Sequence, residues 1–227
     1  MAVNKNPKRD RQLTHAKEVA DVIGDDVIDP AILFGRANSD DLDLYTAEML
    51  ALSAIHAAAE ISAWNGTQPR VTIAELEHVE PEGRATSVLC ITNRNMPFLY
   101  DSVMGEVTAT FRPISLAVHP IFVARPDRSV ELYVPGDDSQ PEDRISHIHI
   151  HFEKMNRTEA DDLISRIHLV LDQVHLAVRD WPAMLNMLQT ATAAMFGNGL
   201  KKRRAEKEEA LDFLGWLHAN NFTFLGM

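Results

Sequence analysis

The chain has 227 residues, 45% of them hydrophobic, enough for one large or two small domains with a buried core. Its 22 Lys and Arg against 33 Asp and Glu leave a net charge of -11, which argues against a general nucleic-acid or anionic-membrane surface because either needs a positive face. No apolar run approaches the roughly 20 residues of a membrane span. The basic amino terminus has no apolar export core behind it, and the single cysteine, Cys90, cannot form an internal disulfide, so a reducing cytoplasm is the expected compartment.

Residues 1–12 are polar, basic and aperiodic, and are expected to stay disordered or to lie loosely on a partner. A short helix is predicted from Leu13 to Ile23 and a short apolar patch at Ile32, Leu33 and Phe34, so residues 1–38 read as an arm with short helices. Ser39 is expected to open one long packing helix that, with its closing turn, fills residues 39–68. Asp40 and Asp41 suit its first turn, and Leu42, Tyr45, Met49, Leu52, His56 and Ala59 fall on one face. Leu44, Leu50, Ile55 and Ile61 widen that face, which points to packing on two sides, against the same domain and another copy. His56 reads as a satisfied interior histidine, and Asn65-Gly66 with Pro69 ends the helix.

From Arg70 the period changes to two, and residues 69–180 read as one α+β domain. A strand through Val71, Ile73 and Leu76, a turn at Glu80 to Gly83 and a strand from Ser87 to Thr92 make a hairpin that feeds a helix, with Cys90 packing as a small hydrophobe. Pro97 suits the first helical position and Asn95 the cap, giving a helix to about Thr110 with Leu99, Val103, Met104 and Val107 inward. Its free N–H groups and positive dipole end would suit an anion such as a carboxylate. A strand from Ile114 to Ala124, locally interrupted by Pro120, and a return strand from Val130 to Val134 follow.

Ile145 to Phe152 shows the cleanest alternation, with Ile148, Ile150 and Phe152 on one face and His147, His149 and His151 on the other. The apolar face is assigned to the core, and the histidine face to a polar sheet surface or a contact with a second protomer that titrates near neutral pH. Three histidines on one strand are only weak metal candidates, since alternate residues stand roughly 6 to 7 Å apart and tetrahedral sites draw ligands from several elements. Thr158 to Asp161 matches a capping box before an amphipathic helix that ends at Asp180-Trp181-Pro182, and Pro182 starts another to about Phe196. Residues 181–219 read as a helical linker containing Gly197-Asn198-Gly199 and the basic run Lys201 to Arg204. Residues 220–227 read as the cut-off start of a further domain. There is no phosphate-binding P-loop, Gly-x-Ser-x-Gly elbow or cysteine cluster, so no catalytic residue is assigned.

The order strand, helix, strand, hairpin, strand, helix is that of a ferredoxin-like antiparallel sheet with helices on one face, the class of the ACT regulatory domains, here with extra helices at both ends. Four blocks, NMPFLYDSV (Asn95 to Val103), VHPIFVARP (Val118 to Pro126), RDWPAM (Arg179 to Met184) and the terminal EALDFLGWLHANNFTFLGM, resemble the amino-terminal portion of the large bacterial NAD-specific glutamate dehydrogenases. The resemblance implies a parent enzyme that converts L-glutamate, NAD and water to 2-oxoglutarate, ammonium and NADH, with its catalytic and NAD sites far downstream. This segment would then carry no cofactor of its own and bind other copies of itself, downstream domains of the parent chain, or an amino-acid effector. By the same resemblance, an effector would sit at Asn93, Arg94, Asn95 and Met96, with Asp101 one turn along. Asn93-Arg94-Asn95 departs from the acidic residues the family commonly places before Met-Pro-Phe, and the loop lacks the glycine of effector-binding ACT turns.

Overall fold

The computed structural model describes residues 6–24, 27–125, 129–197 and 204–221. These fall into two compact units that divide between Leu171 and Asp172.

The first unit begins with helix α1 (Pro7–Ile23), whose start is set by Asn6: its side chain accepts from the N–H groups of Lys8 and Arg9, and Pro7 occupies the first turn. Residues 7–12, expected to lack structure, are therefore helical. Leu13, Ala16 and Ala20 form the buried stripe. Helix α2 (Pro30–Phe34) is capped by Asp29 in the same manner.

The single helix expected from Ser39 is two. Helix α3 (Ser39–Leu42) is capped by Asn38 rather than Ser39, and helix α4 (Ala47–Ser62) restarts after Thr46, whose hydroxyl accepts from the Met49 N–H at 3.3 Å. The carbonyls exposed at the break are satisfied by Gln12, whose amide donates to Leu42 and Tyr45 at 2.9 and 2.7 Å. The break resets the helical phase. Leu50, Ala54, Ala57 and Ile61 become the buried face, while Met49 and Leu52 are only half-buried and Ala59 is exposed. Both sides of α4 are used inside the chain, one against α1 and one against the sheet.

The sheet contains β1 (Arg70–Glu75), β2 (Thr86–Arg94), β3 (Ile114–Val118), β4 (Ile121–Ala124), β5 (Val130–Leu132) and β6 (Arg144–Glu153), all antiparallel, in the order β1-β2-β6-β4-β5 with β3 also on β6. The strand expected over 114–124 is split at His119-Pro120, and the Pro120 carbonyl accepts from the His147 N–H at 3.1 Å. Helix α5 (Leu99–Thr108) connects β2 to β3, and helix α6 (Arg157–Gly197) follows β6. Strand, helix, split strand, strand, helix is the ferredoxin-like order, with β1 filling the outer position beside β2 from upstream. Helix α5 and the first turns of α6 cover one face as expected, through Leu89, Ile91, Ile148, Ile150, Phe152, Leu99, Val103, Leu163 and Ile167. The additional amino-terminal helices form a further layer on the opposite face, with Leu33, Phe34, Leu42, Leu50, Leu116, Val118 and Phe122 in its core.

Two helix starts differ from expectation. Helix α5 begins at Leu99 after Phe98, whose φ of 67° is left-handed and whose side chain gives no cap, so Pro97 lies before the helix and Asn95 does not cap it. Helix α6 is capped two residues earlier than predicted: the Asn156 N–H donates to Glu159 at 2.9 Å and the Glu159 N–H to Asn156 at 3.0 Å.

In the second unit, α6 runs through Pro182 to Gly197 without the expected restart; proline removes a single N–H, the one that would reach the Val178 carbonyl. Helix α7 (Arg204–Trp216) then ends in one π-helical turn, Leu217–Asn221. The Gly197-Asn198-Gly199 and Lys201 to Arg204 segment lies largely outside the described residues, as does the strand expected at Phe222 to Met227.

Candidate functional site

The strand-to-helix turn sits where β2 leaves the sheet. Asn93 is buried opposite Ser146, Arg94 is exposed and donates through Nε to the Gly66 carbonyl at 3.2 Å, and Met96 packs on the core. The Asn95 N–H donates to the Arg144 carbonyl at 2.8 Å, so it is not free for a ligand. Asp101 is exposed on the first turn of α5. The nearby cleft of about 230 Å³ is lined not by this turn but by Arg36, Tyr100, His119, Pro120 and Leu132. There the Tyr100 ring stacks on His119, centroids 5.0 Å apart, and His119 Nε2 lies 2.5 Å from the Ser146 hydroxyl.

The other polar constellation is the histidine face of β6, and it is not on the surface. His147, His149 and His151 are each 0% exposed, closed over by the amino-terminal helices and the segments joining them. The Phe34 ring packs edge-on against His149 and the Tyr45 ring against His151. The expectation of a solvated or protomer-facing surface therefore fails: the covering layer comes from the same chain. Burial pushes His147 and His151 down to about 3 and His149 well below its ordinary value, with the neighbouring histidines adding to the effect, so no titration near neutrality occurs. Burial pushes the Cys90 thiol and the Tyr45 hydroxyl upward, and both stay protonated.

A continuous hydrogen-bonded line runs through this layer. Cys90 Sγ is 3.3 Å from His149 Nδ1, His149 Nε2 is 2.8 Å from His151 Nε2, His151 Nδ1 is 2.9 Å from the Tyr45 hydroxyl, and that hydroxyl is 2.9 Å from Ser115 Oγ. A single direction satisfies every member: the thiol donates to His149, His149 to His151, His151 to Tyr45 and Tyr45 to Ser115. His147 stands beside the line, its Nδ1 3.0 Å from Thr92 Oγ1, while its Nε2 has no partner among the described residues. Nε2 of His56, half-buried on α4, is likewise without a partner. Close by, Glu60 accepts from Arg70 at 2.8 and 3.2 Å and from the Thr72 hydroxyl at 2.8 Å.

The sequence reading named the histidines but missed Cys90, Thr92 and Tyr45 as their partners. The available signal was the period-two face of β2, where Val88, Cys90 and Thr92 stand opposite His151, His149 and His147.

Residues 31–168 match the model of the glutamate dehydrogenase ACT1 domain, more than half of the chain. The chain belongs to that family. The ACT1 region begins in α2 and ends in α6, so the whole sheet and the buried histidine layer lie inside it and α1 lies outside. A protein of Halomonas elongata described as an NAD-specific glutamate dehydrogenase is 29% identical over 184 residues, covering 74% of this chain and 11% of its own length. The chain thus spans about one ninth of that relative. No helix among the described residues is long and apolar enough to cross a membrane.

Proposed function

We propose that this chain is the non-catalytic amino-terminal segment of a large NAD-dependent glutamate dehydrogenase, with NAD and glutamate bound by the downstream part of the parent polypeptide. The observation that supports this reading is the ACT1 match over residues 31–168, set against a relative of which the chain covers only 11%. The parent would oxidise L-glutamate to 2-oxoglutarate and ammonium while reducing NAD. Glutamate-dependent NAD reduction by the purified 227-residue chain alone would overturn the reading.

Within the parent, assembly is the role we favour. Among the described residues strand β1 pairs only with β2, leaving a six-residue edge on which a second copy or a downstream domain can continue the ladder. The two-sided burial of α4 does not contribute, since α1 and the sheet occupy both sides. The second reading is an amino-acid sensor, favoured by the exposed Arg94 beside an α5 start that has no side-chain cap. There a carboxylate would meet the guanidinium, the Met96 N–H and the N–H groups of the first turn of α5. Sedimentation across a dilution series, paired with thermal-shift screening against amino acids, separates the two. Assembly predicts a concentration-dependent dimer with no ligand response; a sensor predicts stabilisation of about 2.7 kcal/mol at 100 times the dissociation constant.

A further inference from the structure

We propose that Cys90, His147 and His149 form a closed binding site for a thiophilic d10 cation, zinc(II) foremost. One donor atom from each of the three lies within 4.8 Å of the other two, and all three residues are buried. Alternate histidines along one strand do not make such a set. The β2–β6 register does, because it places Cys90 opposite His149 and brings a ligand from a second strand. In a tetrahedral site with Zn–S near 2.3 Å and Zn–N near 2.0–2.1 Å, sulfur and nitrogen stand about 3.5 Å apart. The 3.3 Å between Cys90 Sγ and His149 Nδ1 is already that spacing. A rotation moving the His147 nitrogen by about an ångström completes a three-ligand corner.

An independent observation points the same way. His147 is 0% exposed, Thr92 holds its Nδ1, and its Nε2 has no hydrogen-bond partner among the described residues. The outer contacts also suit ligation. With Thr92 on Nδ1 of His147, Nε2 is the nitrogen left to bind; with His151 on Nε2 of His149, and Tyr45 behind His151, Nδ1 is the one left. Such outer-shell partners fix tautomer and ring orientation at metal sites. Binding involves no redox change: the Cys90 Sγ–H proton leaves to solvent, the thiolate and two neutral imidazoles replace all but one of the cation's waters, and the remaining water fills the fourth tetrahedral position. Because the ligands are fully buried, the cation enters as the chain folds.

The test unfolds the full chain with chelator and reductant, refolds it with zinc(II) or cobalt(II), and removes free metal. One equivalent per chain is expected, with a thiolate-to-cobalt charge-transfer band. Cys90→Ala should lose the band and His147→Phe the equivalent, while the exposed-site control His15→Ala keeps both. Far-ultraviolet circular dichroism checks that each variant folds. Thr92→Val, which keeps every ligand, should weaken zinc by 10- to 100-fold in chelator competition. A folded wild type that retains well under one equivalent, a cobalt form without the thiolate band, or zinc affinity unchanged by Thr92→Val overturns the site.

Discussion

Tyr45 connects the covering layer to the sheet. It sits in the break between α3 and α4, is 4% exposed, and its hydroxyl bridges His151 and Ser115. Tyr45→Phe keeps the ring against His151 but leaves a buried imidazole nitrogen without its acceptor, and should destabilise the chain by about 1–3 kcal/mol in urea unfolding. The histidines carry a second prediction, for the chain with metal withheld by chelator. Their folded pKa values lie below the unfolded value near 6.5, reaching about 3 for His147 and His151. The stability from keeping them neutral is fully present above pH 6.5 and is lost as pH falls toward 3, since only the unfolded chain takes up their protons in that window. Lowering the pH from 7.5 to 5 should remove about 2 kcal/mol for each of these two residues. The groups facing them from β2 and the covering layer, Cys90, Tyr45 and His56, bring no negative charge to offset this, and Glu60 is paired with Arg70. Equal urea midpoints at the two pH values would contradict neutral burial; because His149 is depressed as well, His151→Gln should remove about a third of the loss that the three buried histidines cause together. The alternation of β6 disclosed that its two faces differ, yet the residue closing the polar face, Tyr45, lies 106 positions from His151. A period of two says nothing about what arrives from that far away.

Elements were legible where a period and a cap agreed, and shifted where two caps competed. β1, β2 and β6 fall where the alternation puts them, and Pro120 interrupts its strand for the reason proline should. The single helix expected from Ser39 failed because Thr46 offers a hydroxyl to the Met49 N–H and restarts the helix one turn after Leu42, rotating the buried stripe. At α6 the Thr158 to Asp161 pattern was a decoy. The working box is Asn156 with Glu159, and the latter also accepts from Arg112 at 2.6 Å, pinning the turn between α5 and β3 to the start of the helix. Asn156→Ala should therefore cost about 1 kcal/mol in thermal or urea unfolding, whereas Thr158→Ala should stay near zero. Equal losses in the two variants would restore the decoy.

For the first unit as a whole, the consequence is a sheet with no free face. Helices α5 and α6 cover Leu89, Ile91, Ile148 and Ile150, while α1, α2 and α4 cover a face that mixes Leu116, Val118 and Phe122 with three neutral histidines. An isolated ferredoxin-like sheet with helices on one side would expose that mixed face, so the amino-terminal arm is part of the fold rather than an appendage. Leu13, Leu33, Phe34, Leu42, Leu50 and Ile61 are each buried to within a few per cent. At roughly 1.5–3 kcal/mol apiece, their burial is comparable to the 5–15 kcal/mol by which whole domains are stable. Removing residues 1–64 should therefore abolish cooperative unfolding rather than merely lower the midpoint. In the same shortened chain the histidines should regain a pKa near 6.5, because the burial that depresses them is gone. Histidine proton shifts followed by NMR from pH 8 to 4 read that return directly, and dye binding to exposed apolar surface reads the lost cover. A shortened chain that unfolds in one sharp transition, with His147 and His151 still untitrated at pH 5, would show that the sheet closes this face without the arm.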